Sequence, residues 1–114
     1  MEKIIYNSDI ARLVSRFVMP IDAITIYPFI FVVKDYLSED GRRHERIHLS
    51  QQLECLLVGF YLLYAVDYLI GRVRGLDHVG AYLNIRFEQE AYTNQLNPGY
   101  QRKPFAWLGY KVRR

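Results

Sequence analysis

Cysteine is nearly absent: Cys55 is the only one in 114 residues. It excludes an internal disulfide and fits a cytoplasmic or otherwise reducing compartment, with association to a particle or membrane left open. Charge of one sign is scarce too. Fifteen basic against 12 acidic residues leave a net +3, too mild and too scattered to argue for nucleic acid, although the KVRR tail could touch a phosphate-rich surface. The opening MEKIIYNSDIARLV lacks a basic region followed by a long apolar run and a small-residue cleavage site, so no secretory signal is expected. Internal repeats, low-complexity runs and linkers are missing as well, and the length suits a single domain over 1–114.

No long hydrophobic run is free of charge. The most apolar window, LECLLVGFYLLYAVDYLI (53–70), reaches the length of a short membrane span but contains Glu54 and Asp67. A buried helix is the first expectation for it, a helix on a membrane surface the second, and a true span the last. If so small a domain leaves that helix partly uncovered, it must meet a membrane, a second copy or another protein. An apolar fraction of 51% with 15% aromatics excludes disorder. The ten tyrosines bring hydroxyls that need water or a partner.

Residues 8–18 place Ile10, Leu13, Val14, Phe17 and Val18 at helical spacing, with Asn7 or Ser8 as N-cap and Pro20 as the stop. The β-branched and aromatic run IDAITIYPFIFVV (21–33) reads as a strand. Pro28 cannot donate to a ladder, which puts that strand at a sheet edge or gives it a bulge. KDYLSEDGRR (34–43) reads as a polar connector with a turn at Asp40-Gly41. One long helix is expected from about Arg43 to Gly71, and a second from Asp77–Gly80 to Gln95, stopped by Asn97-Pro98-Gly99. A short helix from Pro104 closes the chain, with Trp107 pinning it to the core. The fold class is α+β, mostly helical, with an edge strand or a small sheet.

His44-Glu45-Arg46-Ile47-His48 is the stretch with chemistry in it. On a helix, positions i and i+4 share a face, so both imidazoles can reach one ion. Glu45 projects about 100° away, near enough to a water without being a ligand. Zinc lowers the pKa of such a water and the glutamate takes its proton. The same residues also suit a surface helix start with solvated charges and idle histidines.

A catalytic zinc needs a third protein ligand and one open position. His78 is the only other histidine, in a glycine-flanked loop, and Glu88 is the better candidate. Its helical face carries Ala81, Asn84, Ile85, Ala91, Tyr92 and Gln95, an inward face with small residues that permit close helix approach. Glu90 points the opposite way with Arg86 and Asn94 and reads as solvated. The histidine face of the first helix continues through Gln51, Cys55, Gly59 and Leu62, again small enough for a close crossing. Cys55 reads as a small core residue. Gln51 could orient an imidazole or lie exposed. Tyr92 could donate to a developing oxyanion or simply pack.

His44-Glu45-x-x-His48 followed by Glu88-Gln89-Glu90-Ala91 resembles the gluzincin arrangement of zinc metallopeptidases. HERIHLSQQLE, then FYLLY, then AYLNIRFEQEAYTNQ is similar to small bacterial and phage proteins built on that minimal zincin core. Their segment like PFIFV before the motif is matched by residues 28–32, and the resemblance covers roughly residues 19–110. It implies one zinc ion on His44, His48 and Glu88, with Glu45 as general base. It also implies that the strand before the motif rims a cleft and holds an extended peptide by main-chain pairing. Tyr92 departs from the acidic residue many gluzincins carry there, and the domain is smaller than most peptidases of the class. Two functions follow: a zinc-dependent metallopeptidase, or a non-catalytic zincin-fold module in a particle or at a membrane, with oligomers open to either.

Overall fold

The computed structural model describes residues 3–17 and 21–112; the expected positions of Val18 and Pro20 and the last residues of the KVRR tail lie outside them. The fold is α+β and mostly helical, in agreement with the sequence pattern. Strand β1 (Lys3–Ile5) and helix α1 (Asp9–Phe17) are followed by β2 (Ala23–Ile26) and β3 (Phe29–Val32). Then come α2 (Glu39–Glu54), α3 (Val58–Val73), α4 (His78–Leu83), α5 (Arg86–Asn94) and a 3-10 helix at Ala106–Gly109.

The run 21–33 is a hairpin, not one strand. Pro28 occupies its turn, where a missing N–H costs nothing, and the register pairs Thr25 with Ile30 and Ala23 with Val32. The sheet order is β1-β3-β2, with β1 parallel to β3. Thus β3 is central, and only β2 keeps the edge position expected for the whole run. Even that edge is partly covered. The Gln52 amide accepts from Tyr27 N at 2.7 Å and donates to Thr25 O at 2.7 Å, as a neighbouring strand would. Because Asp22 O bonds Val33 N across the hairpin, the alternation of an antiparallel ladder turns the backbone of Ala23 outward.

The helices depart from expectation at their ends and middles. Ser8 caps α1 by accepting from Ala11 N at 3.2 Å, and Ala11, fully buried, faces inward while Ile10 and Leu13 stay exposed. Ser38 caps α2 by accepting from Gly41 N, so Asp40-Gly41 lies inside the first turn instead of forming a turn of its own. There Glu39 and Asp40 complement the helix dipole.

The expected 43–71 helix is two helices bent by 111°. The break comes at Leu56 and Leu57, whose φ of 54° and 62° lie in the left-handed region. No glycine or proline announces it. The bend lets α2 bury polar residues while α3 turns Phe60 and Tyr64 back onto the same site. The second long helix is also broken, between α4 and α5. Asp67 of α3 takes the exposed end, accepting from Arg86 N at 3.1 Å and from its guanidinium at 2.9 and 3.0 Å. That ion pair is why an acid sits buried in so apolar a helix. Gly71 lets α3 and α4 approach: a Cβ there would stand 3.1 Å from both Cα and Cβ of Ala81.

Two apolar clusters flank α2. Ala23, Ile30, Val32 and Leu49 form one on the sheet. Phe60, Ile85, Phe87 and Trp107 form the other between α3, α5 and the 3-10 helix, and Trp107 pins the C-terminal segment as its position suggests. The window 53–70 is not the buried helix first expected, since Leu56, Val58, Leu62 and Leu69 are exposed. Among the described residues, no single helix is long and apolar enough to cross a membrane.

Candidate metal centre

Helix α2 buries five polar side chains, His44, Glu45, His48, Gln51 and Gln52, in the seam between the two clusters. Burying so many polar groups costs free energy unless each is partnered. At the centre of the seam His44 Nε2 and His48 Nε2 lie 3.1 Å apart. Glu88 Oε1 sits 3.2 Å from the first and 3.0 Å from the second. The two histidines stack one turn apart because of helix geometry. Glu88 comes from the first turn of α5, a helix packed on α2 with Ala91 fully buried. The three atoms form a group that could hold a metal ion. A tetrahedral zinc with bonds of about 2.0–2.1 Å sets its ligand atoms about 3.3 Å apart, close to this triangle.

The other face of each ring fixes what the cluster presents. His44 Nδ1 donates to Gln95 Oε1 at 2.6 Å and His48 Nδ1 to Gln51 Oε1 at 2.7 Å. The orientation of Gln51 is settled by its amine, which donates to Phe87 O at 3.1 Å and to Glu90 Oε1 at 2.8 Å. A ring that donates through Nδ1 turns the lone pair of its Nε2 toward the cluster. Two nitrogen lone pairs and a carboxylate oxygen thus face one another, an arrangement that calls for a cation. The donor set fits zinc.

Without an ion, protons answer the same call. Burial alone would depress the His48 pKa, but the charge of Glu88, its hydrogen bond and the further pull of Glu45 and Gln51 carry it up to about 9. Burial would raise Glu88, but the two histidines hold it far below the usual carboxylate range. Tyr64 donates to Glu88 Oε2 at 2.6 Å, which leaves Oε1 alone facing the histidines.

Glu45 stands beside the cluster and is not part of it. Thr25 of β2 donates to its Oε1 at 2.6 Å. Burial raises its carboxyl above the ordinary value against the lowering influence of His48, His44 and Thr25. Two cavities meet here. One of about 750 Å³ is bordered by Asp22, Lys34, Asp40, Tyr92 and Gln95. The other, of about 590 Å³, is lined mainly by apolar and aromatic side chains. His44, Glu45 and Tyr82 line both.

Tyr92 packs its ring edge-on to His44, with centroids 4.4 Å apart, and its hydroxyl meets that of Tyr82 at 3.3 Å. His78 opens α4, beside the Tyr68 hydroxyl at 2.8 Å, and is outside the cluster. Cys55 is half-buried at the bend rather than deep in the core. The expected run of small residues past Gln51 fails there, because Gly59 and Leu62 belong to α3 and Leu62 is exposed.

Glu90 corrects the sequence reading most sharply. Instead of being solvated it is fully buried, accepting from Arg102 Nε at 2.6 Å, Tyr100 OH at 2.8 Å and Gln51. Arg102 bridges on to Glu54 at 2.7 and 2.9 Å. The helical wheel misplaced Glu90 because the 100–102 segment folds back over that side of α5. Thr25, Tyr64, Tyr82 and the role of Gln95 were missed; of these only Gln95 carried a signal, by lying on the inward face of Glu88. No model of a known protein family, no curated protein and no solved structure matches the chain.

Proposed function

We propose that the protein is a zinc-dependent metallopeptidase, using Glu45 to activate water against a peptide bond held by His44, His48 and Glu88 through one ion. The observation that carries the reading is the triangle of three facing acceptors beside a buried carboxyl, on the wall of an open cleft. A zinc ion held by His44, His48 and Glu88 would supply Lewis acidity for a water and for a carbonyl oxygen. Glu45 takes the proton of the attacking water. Burial works to raise its carboxyl toward the working pH, and Thr25 holds Oε1, leaving Oε2 for the water. The proton then passes to the leaving amine.

Tyr82 and Tyr92, whose hydroxyls share one hydrogen bond, leave one O–H to donate to the oxygen that gains charge in the transition state. Burial raises both phenols above their ordinary values, so both keep their protons at neutral pH. An extended peptide pairs with the outward backbone of Ala23, the stretch of β2 that Gln52 leaves uncovered. That narrows the peptide edge from the whole 21–33 run to its first residues. The cleft is open on both sides of Glu45, which favours the peptidase over a non-catalytic module of the same fold, whose cleft would have its own side chains in it.

Elemental analysis of the purified protein tests the first step: about one zinc per chain is expected, lost in His44→Ala and Glu88→Ala. Glu45→Gln should retain the ion while turnover of a peptide mixture falls by about 10²–10⁴-fold. Full activity in Glu45→Gln, or a wild-type protein that binds no zinc, would overturn the proposal.

A further inference from the structure

Helix α3 has an outer face that nothing among the described residues covers. Val58, Leu62, Val66, Leu69 and Val73 follow one another along it and are between 49% and 86% exposed, with Leu56 at the bend 85% exposed. These spacings place them on one side of a helix. No charged side chain interrupts the stripe. The two acids of the region are both taken, Glu54 by Arg102 and Asp67 by Arg86. At the far end of the helix Arg72 and Arg74 stand exposed, and among the described residues each uses one guanidinium nitrogen, with others open to an anion.

The same face reaches the site. Tyr61, Ala65 and Leu69 are exposed and also line the 590 Å³ cavity, whose inner wall is His44, Glu45, His48 and Glu88. The mouth of the apolar cavity therefore opens on the apolar stripe. A second copy of the chain is a poor occupant for it. The helix has 16 residues, about 24 Å of length, and one face of it falls well short of the roughly 800 Å² per partner in a stable interface. A bilayer sets no such minimum, and a lone amphipathic helix with basic residues at one end seats in its headgroup region.

We propose that the outer face of α3 docks on an anionic lipid bilayer, with the apolar cavity opening into it, so that the site receives apolar side chains of membrane-borne peptides. The docking stands on its own; the delivery of substrate rests on the peptidase reading. Arg72 and Arg74 meet lipid phosphates while the Leu62–Leu69 ridge enters the acyl boundary. Tyr61, at the rim, has the amphipathic ring suited to that depth.

Flotation of the full chain with vesicles of phosphatidylcholine, with and without phosphatidylserine, tests the docking. The protein should float with the serine lipid present and much less without it. Leu62→Asp and Leu69→Asp should each lower the bound fraction by about tenfold, whereas Leu108→Asp, at an equally exposed leucine of the 3-10 helix, should leave it unchanged. Binding that is absent, or that ignores both aspartates, overturns the proposal. So does a dimer in free solution that the aspartates dissociate. Glu88→Ala should float like the wild type, so a protein that floats but holds no zinc fails as a peptidase and not as a membrane-docked fold. If Glu45-dependent cleavage of an apolar peptide is not faster when that peptide is vesicle-bound, the cavity does not open to lipid, and the peptidase reading survives.

Discussion

Gln51 and Gln52 are adjacent, chemically identical and both buried, yet the structure gives them opposite duties. Gln51 faces the His44–His48–Glu88 cluster and holds His48 Nδ1 at 2.7 Å. Gln52 faces the sheet and closes the edge of β2. Replacing either by leucine removes a comparable number of hydrogen bonds, so each should cost about 1–3 kcal/mol of stability. Only Gln51→Leu should also weaken zinc. It leaves the His48 N–H buried without an acceptor and frees the ring to turn, for which a loss of about 10–100-fold in affinity is the expected scale. That range corresponds to about 1.4–2.8 kcal/mol, no more than one unsatisfied buried donor accounts for. Glu90 is not stranded by the change, because Arg102 and Tyr100 continue to hold it. The assay is competition with a chromophoric chelator, with urea unfolding of the same ion-free samples as the stability measure. Equal zinc affinities in the two variants, at equal stability loss, would refute the idea that the amide of Gln51 aims the histidine.

Other consequences can be checked separately. Thr25→Val removes the hydrogen bond that lowers the Glu45 pKa, so the carboxyl titrates higher and the acid limb of the kcat/KM profile should move to higher pH. Ion uptake at neutral pH should release close to one proton, since His48 without an ion holds its proton up to about 9 and binds zinc only as neutral imidazole; calorimetry in buffers of different ionisation enthalpy counts it. In the same ion-free protein the stabilisation from His48 is complete below its ordinary value of 6.5 and fades as pH rises through about 9, which unfolding midpoints across that window should trace. Gly71→Ala drives a methyl against the Cα and Cβ of Ala81, and neither can swing aside. A loss of about 1–3 kcal/mol is expected in denaturant unfolding.

What was legible in the chain follows from the distance over which each signal acts. His44 and His48 are related by one helical turn, so their shared face is written in four residues. Glu88 was reachable because small side chains recur through 81–91 and advertise close packing, even though that run is broken between α4 and α5. Trp107 could be picked out by type alone, and Ser8 as one of two cap candidates. Most of the failures involve partners far apart in sequence. Glu90 looks solvated until Arg102 and Tyr100 fold over it. Thr25 and Tyr64 reach the site from a strand and a helix that carry no spacing rule linking them to it. The break at Leu56 and Leu57 is written by neither glycine nor proline. It is imposed by the different neighbours of the two helices, one polar seam and one apolar shell. Pro28 is foreign to a ladder by type, which suggests an edge or a bulge, and only the pairing of 23–26 with 29–32 shows the turn it makes.

The three donors do not come from one stretch of chain. In an unfolded molecule only the two imidazoles of one helical turn would lie near each other, since the carboxylate is forty residues past His48 and arrives only when α5 packs on α2. Zinc would therefore discriminate strongly between the folded and the disordered chain. At a thousandfold excess over its dissociation constant it would add about 4 kcal/mol to the fold, a large share of the whole margin of a domain this size. In a zinc-poor environment the same molecules would lose that reserve together, so the lifetime of the protein would track the availability of the ion.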